Sequence, residues 1–237
     1  MYGMIQWKEQ QKKGVELGTV TVLREPFLCA NILHGKRTPE ALLRRRVLTA
    51  GKRQRKQGVT RIVLPAGFPF LEELKKQGVT PVSTLHLRQE IAASWVRGML
   101  AREGRPIAMS VVAVTAERLS AEVVRTVTEL SMRHRYLLLR VPRGGEELAR
   151  RLRREYGVSL RLNPTEEELT GAAAVAAFAP LETEHPLTVR LYDETQPLPR
   201  FSLPPNQEAE LPEGMDRGQL IAALRRAGAV KQVEVES

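Results

Sequence analysis

"KQGVT" occurs at Lys56–Thr60 and again at Lys76–Thr80, and how these two words are read decides the fold. "TPEALLRRRVLTAGKRQRK" precedes the first and "FPFLEELKK" the second. Both stretches read as helices that end in bases, which suit the negative end of the helix dipole. Gly58 and Gly78 then stand where a left-handed residue closes a helix. The β-branched stretches that follow, "VTRIVLP" and "VTPVS", start strands. "RREYGVSLRL" repeats the grammar around Gly157. Nothing beyond the five residues is shared, so the words are helix stops joined to strand starts and not a repeated binding motif.

Reading outward gives an alternating chain. "LGTVTVLR" at Leu17–Arg24 is an early strand, and a helix over Pro39–Gln57 takes Thr38 as its N-cap. Strand Thr60–Leu64, helix Phe70–Lys76, strand Val79–Val82 and helix Leu87–Arg102 follow. Next come "AMSVVAV" as a strand, a helix over Ala121–Arg133 and "YLLLRV" as a strand. Helix Glu146–Tyr156 and strand Val158–Leu162 lead to a short helix that Thr165 and Glu168 open as a capping box. "AAAVAAF" is a last buried strand. Continuous apolar strands alternating with helices imply a parallel sheet covered on both faces. The expected fold is an α/β, Rossmann-like, mostly parallel doubly wound sheet over residues 1–180, with a Pro-rich C-terminal extension over 181–237. That acidic extension reads as a strap packed on the same domain. Its terminal helix, Arg217–Ala227, is opened by Asp216 and stopped by Gly228, and "VKQVEVE" forms an edge strand.

The 237 residues are 42% hydrophobic and only 5% aromatic, with a net charge of +10. Such a balance either favours an anionic partner or reflects a generally basic composition, and the placement of the charge separates the two. "MYGMIQWKEQQKKG" lacks the apolar core of a signal peptide, and "GAAAVAAFAPL" is too short to span a bilayer. The single cysteine, Cys29, makes neither an intrachain disulfide nor a zinc cluster. The expectation is a cytoplasmic protein with no membrane contact and no metal, its cofactor and oligomeric state left open.

In open α/β sheets ligands sit beyond the carboxyl ends of the strands. Four loops qualify: "PAGFPF", "TAERLS", "PRGGEE" and "NPTEEE". From them come the candidate cofactor-binding residues Gly67, Phe68, Thr115, Arg143, Gly144 and Gly145. "TAERLS" stands where a dinucleotide-binding protein carries G-x-G-x-x-G, yet holds no glycine; Ser120 reads as an N-cap. "RGGEE" is the better anion candidate, although Glu146 and Glu147 already complement that helix dipole. Phe68 and Phe70 either stack on a ligand or anchor their loop to the core.

Both aspartates, Asp193 and Asp216, lie in the tail, so the strand ends lack the residues that hold magnesium. His86, beside Ser83 and Thr84, is the weak candidate for a general base. Cys29 with His34 is a remote thiolate–imidazole pair. His134 reads as a structural partner of a helix dipole, and His185 carries no signal.

Two helices differ in charge. In "GGEELARRLRREYG", Glu146 precedes Arg150, Glu147 precedes Arg151 and Arg151 precedes Glu155 by four, so that surface balances itself. The helix over 39–57 has one such pair, Glu40 with Arg44, against seven bases. Its Arg44, Arg45, Lys52, Arg55 and Lys56 form the candidate nucleic-acid or anion patch. The first reading is a non-catalytic binding or regulatory module that engages an anionic small molecule or a protein partner at its strand ends. A nucleotide-cofactor-dependent enzyme with a non-standard phosphate loop is the alternative. Nucleic-acid binding through the basic helix is the second.

Overall fold

The computed structural model describes residues 1–10 and 14–236. The chain opens with β1 (Tyr2–Glu9), β2 (Gly14–Val22), β3 (Glu25–His34), α1 (Glu40–Lys56), β4 (Arg61–Val63), α2 (Leu71–Lys75) and β5 (Thr80–Pro81). These strands form a sheet of order β2-β3-β1-β4-β5, parallel except between β2 and β3. β1 and β3 were not anticipated. Polar Gln6, Lys8 and Asn31 interrupt their apolar pattern, and the link between β2 and β3 carries no turn glycine. Leu23 and Arg24 instead hold φ of 48° and 69°, the doubly left-handed turn that normally selects Asn-Gly.

α1 buries Val47 and Ala50, with Leu43 beside them, against Ile5, Ala30, Ile32 and Ile62, the face that its spacing predicts. Its last turns come down on Gly3, where a Cβ would stand 2.7 Å from Val59 Cγ1. This close approach lets the buried Gln54 amide donate to the Met4 carbonyl at 2.9 Å and the Leu28 carbonyl at 3.0 Å, clamping β1 to β3. Thr38 is not the cap of α1. Its hydroxyl bonds Gly35, and Pro39 takes the cap position. Gly58 and Gly78 are left-handed, as the two KQGVT words require.

The chain continues through α3 (Leu85–Glu90), α4 (Ala92–Arg102), β6 (Val112–Thr115), α5 (Ala121–Ser131), β7 (Tyr136–Arg140), α6 (Gly145–Tyr156), β8 (Ser159–Leu162), α7 (Glu166–Thr170), β9 (Ala174–Ala177), β10 (Thr188–Arg190) and β11 (Phe201–Ser202). The second sheet has the order β10-β9-β6-β7-β8 and is parallel throughout. Counted from β6, that is the 3-2-1-4-5 order of the Rossmann fold. The expected class therefore holds, and no antiparallel pairing occurs among strands β4 to β9.

The expected single sheet does not. Two residues long and ending in Pro81, β5 lacks the N–H groups to recruit a neighbour, so the first sheet closes there. Nor does the chain divide at residue 180. One compact unit comprises Met1–Thr84 with Leu203–Gln232, and the other comprises Leu85–Ser202 with the residues from Val233 on.

The tail is thus shared and is not one strap. α8 (Pro205–Glu208) and α9 (Arg217–Ala227) belong to the first unit, and β12 (Glu234–Val235) pairs antiparallel with β11 in the second. Asp216 caps α9 by accepting from the Gln219 N–H at 2.9 Å, while its own N–H donates to the Leu64 carbonyl at 2.8 Å. Among the described residues no helix is long and apolar enough to cross a membrane.

Gly3→Ala forces Val59, which is buried, to move and is expected to destabilise the protein by about 1–3 kcal/mol. Gln54→Leu leaves the buried Met4 carbonyl and the partly buried Leu28 carbonyl without this donor and is expected to cost about as much. Urea midpoints of the two variants within experimental error of the parent's would contradict this account of the clamp.

Candidate functional site

The second unit's strand order reverses between β6 and β9, where a Rossmann-like sheet opens its crevice. Thr115 ends β6 there. It is 3% exposed, and its hydroxyl makes no hydrogen bond among the described residues. Its carbonyl accepts from the Phe178 N–H at 2.8 Å. Beside it across the strand pair, the Arg140 guanidinium donates to Glu166 at 2.5 Å and to the Pro164 carbonyl at 3.2 Å.

The turn from β6 into α5 is filled by the chain itself. The Ser120 side chain accepts from the Val123 N–H at 3.4 Å, the cap its position predicts. Glu122's own N–H and the Ser120 hydroxyl hold the Glu122 carboxyl below the usual carboxylate range. A pyrophosphate on this helix end would meet that carboxylate, in a turn with no glycine to let the backbone approach.

The turn from β7 into α6 is built differently. Gly144 occupies the N-cap position with φ of 87° and supplies no side-chain cap. Gly145 is buried, and a Cβ on it would come within 2.7 Å of Leu162 Cδ2. It is therefore a packing glycine. Leu162 pairs with Leu139 and Leu139 with Val114, so α6 packs on the sheet face opposite the Thr115 side chain. The structure does not bring Thr115 and Gly145 onto one face.

Between the β6–α5 turn and α6 lies a groove of about 490 Å³, walled by Leu119 and Val124 on one side and by Gly144, Leu148 and the polar face of α6 on the other. Glu147, Arg150, Arg151 and Arg154 line it, spaced i, i+3, i+4 and i+7 along one helix face. The self-balancing pattern expected of α6 does not form. Among the described residues neither Glu146–Arg150, Glu147–Arg151 nor Arg151–Glu155 closes as an ion pair, and Arg154 approaches Glu155 at 3.8 Å. Four-residue spacing permits a pair but supplies little energy on an exposed helix. The sequence reading missed these three arginines. Arg143 is exposed and does not line the groove.

Two first-unit candidates take structural places. Gly67 is an exposed turn residue with φ of 66°, and its loop is tied down by the bond from the Ala66 N–H to the Gly214 carbonyl at 2.9 Å. Phe68 is buried, its ring 5.6 Å from Trp7 and 6.0 Å from Phe70, so it anchors the loop. Trp7, which the sequence did not single out, and His34, read there only as a remote partner of Cys29, complete this cluster with ring centroids 5.8 Å apart.

Much of the charge of α1 is committed within its own unit. Arg44 pairs with Glu40 at 2.9 Å and with Glu73 at 3.4 Å, and lies over the Phe70 ring. The buried Arg46 donates to the Leu33 carbonyl, and Arg53 donates to the Val15 carbonyl at 2.6 Å. Arg45, Lys52, Arg55 and Lys56 remain exposed, a smaller patch than the seven bases suggest.

His86 sits in the first turn of α3 with Nδ1 3.8 Å from Glu90, a carboxylate the sequence reading did not assign to it. Neither residue lines the groove. Cys29 and His34 are five apart in one strand and so point to opposite faces. Cys29 instead faces Gln6 and Asn31 at 3.6 and 3.7 Å, and burial pushes its thiol up to about 11. His134 is not a charged partner for a helix dipole, because burial lowers its pKa and favours the neutral ring. Among the described residues no cluster of three or more histidines, cysteines or carboxylates could hold a metal.

No protein-family model matches the chain, and no curated protein matches it in sequence. Solved structures with partial likeness include an L-tryptophan dehydrogenase from Nostoc punctiforme, at 12% identity and a TM-score of 0.29 over 64% of this chain and 44% of that one. An N-acetyl-L-ornithine transcarbamylase mutant complexed with PALAO matches at 16% identity and a TM-score of 0.29, over 64% of this chain and 56% of that one. This chain thus spans about half the length of either, and likeness at those scores carries no argument.

A buried thiol with a raised pKa reacts slowly. At pH 8, alkylation of Cys29 in the folded protein is expected to run on the order of a hundredfold slower than after unfolding in urea. Equal rates in the two states would show that Cys29 is reachable and that its environment is misassigned.

Proposed function

We propose that the protein is a non-catalytic binding module that takes an anionic ligand in the groove between the β6–α5 turn and α6. One observation carries the reading: three arginines face a groove of about 490 Å³ at the strand ends, with Glu147 the one acid lining it. That volume falls in the range of small-ligand sites, roughly 300–1,000 Å³. Arginine offers phosphate or carboxylate a forked, charge-assisted contact, and three on one face suit a ligand with more than one negative group. Leu119, Val124 and Leu148 add an apolar wall for the rest of the ligand. An acidic segment of a partner protein fits the same chemistry.

A catalytic reading has less support. His86 and Arg143, the residues such a reading needs, do not line the groove. The helix end that would take a cofactor phosphate already holds Glu122.

The test is calorimetric titration of the protein with pyrophosphate, a nucleoside diphosphate and an acidic peptide at low salt. At least one should bind. Arg150→Ala, Arg151→Ala and Arg154→Ala combined should then weaken it about tenfold or more, as charge-assisted contacts are lost. Glu147→Gln should tighten it. No binding by any of the three, or a triple variant with the parent's affinity, would refute the assignment.

A further inference from the structure

The opposite rim of the second unit, at the amino ends of β7 and β8, carries a surface that the fold does not account for. Seven large apolar residues are well exposed among those described, and Met109, Met132, Tyr136 and Tyr156 are four of them. The two tyrosines are 50% and 44% exposed and line one groove of about 470 Å³. Their placement follows from the backbone. Tyr136 is the first residue of β7 and its neighbour Arg135 accepts the Ser159 N–H at 3.2 Å, which fixes the start of β8 beside it. Tyr156 ends α6, and left-handed Gly157 turns the chain sharply into β8, holding that ring over the same strand end.

Charge selects the occupant. Arg133 and Arg135 line the groove, no acid does, and neither arginine forms an ion pair among the described residues. A second copy presenting this same face would set like charges together. An acidic peptide would satisfy the arginines and leave two aromatic faces uncovered. A chain of phosphates bearing flat bases satisfies both features at once, since bases stack on exposed aromatic rings while arginines track the backbone. The groove shares Ala108, Met132 and Arg133 with an adjoining cavity of about 870 Å³, whose other charged lining is mixed, Arg97 with Glu129 and Glu234, so the phosphate contacts are confined to the groove itself.

We propose that the groove at the amino ends of β7 and β8 binds single-stranded nucleic acid, with bases stacked on Tyr136 and Tyr156 and phosphates held by Arg133 and Arg135. This site is separate from the arginine face of α6 and from the basic patch of α1.

The test uses the whole protein and a fluorescein-labelled twelve-residue oligothymidylate, with binding followed by anisotropy across a potassium chloride series. Tyr136→Ala with Tyr156→Ala should weaken binding about tenfold or more, and Tyr→Phe at both should hold it within about twofold, because stacking needs the ring and not the hydroxyl. Arg133→Gln with Arg135→Gln should flatten the log–log salt slope by about 1.4, the loss of two single-strand phosphate contacts. The oligomer should also protect Arg133 and Arg135 of the parent protein from phenylglyoxal, a readout that needs no variant to fold. Four results would each overturn the proposal: no binding at low salt, affinity unmoved by the tyrosine changes, free thymidine monophosphate competing as well as the strand, or phenylglyoxal protection absent. Self-association lost in the tyrosine variants, with oligomer binding unchanged, would reassign the surface to a second copy.

Discussion

The complete burial of β6 is the constraint on which the second unit depends. Val112, Ala113, Val114 and Thr115 are all buried, with β7 and β9 paired on either side. A parallel strand so enclosed must deliver its chain to α5 at one rim and receive it from helix-containing connections at the other. Successive crossovers then move outward to β7 and β8 before the chain returns to β9. The reversal leaves the loops beyond β6 and β7 diverging from those beyond β9. The groove beside α6 opens among the former, and the unsatisfied Thr115 hydroxyl sits at the point of reversal.

Charge is then sorted by what each helix packs against. α1 lies close over its sheet, so Arg46 and Arg53 reach strand carbonyls and Gln54 clamps two strands. α6 buries Gly145 at its start and a leucine stripe, Leu148 and Leu152, and its arginines stay outside. The helix that looks more basic in the sequence therefore spends much of its surplus internally. The helix that looks balanced keeps Arg150, Arg151 and Arg154 exposed. Pairing rules four residues apart cannot see this, because an exposed ion pair is worth little against side-chain freedom.

The legible parts of the fold were those in which a residue type is forced by backbone geometry. Gly58, Gly78 and Gly157 mark helix ends because a left-handed residue is needed there. Thr165 with Glu168 and Asp216 with Gln219 mark helix starts because they satisfy free N–H groups. The β2–β3 hairpin was hidden because Leu23 and Arg24 adopt a glycine-like turn. The division into two sheets turned on Pro81, whose missing N–H was visible in the sequence but whose place at a sheet edge was not. Of the candidate site, Gly144 was found and the arginines six to ten residues beyond it were not. Gly67, Phe68 and Gly145 carry the signatures of ligand loops, yet each is explained by a turn or by packing.

The central proposal is that the second unit meets an anion along one face of α6. Backbone amide shifts of the isotopically labelled protein, followed by NMR during titration with pyrophosphate, test that claim directly. Saturable shifts should concentrate at residues 119–124 and 144–154. Shifts confined to α1, or scattered over basic residues without saturation, would contradict it.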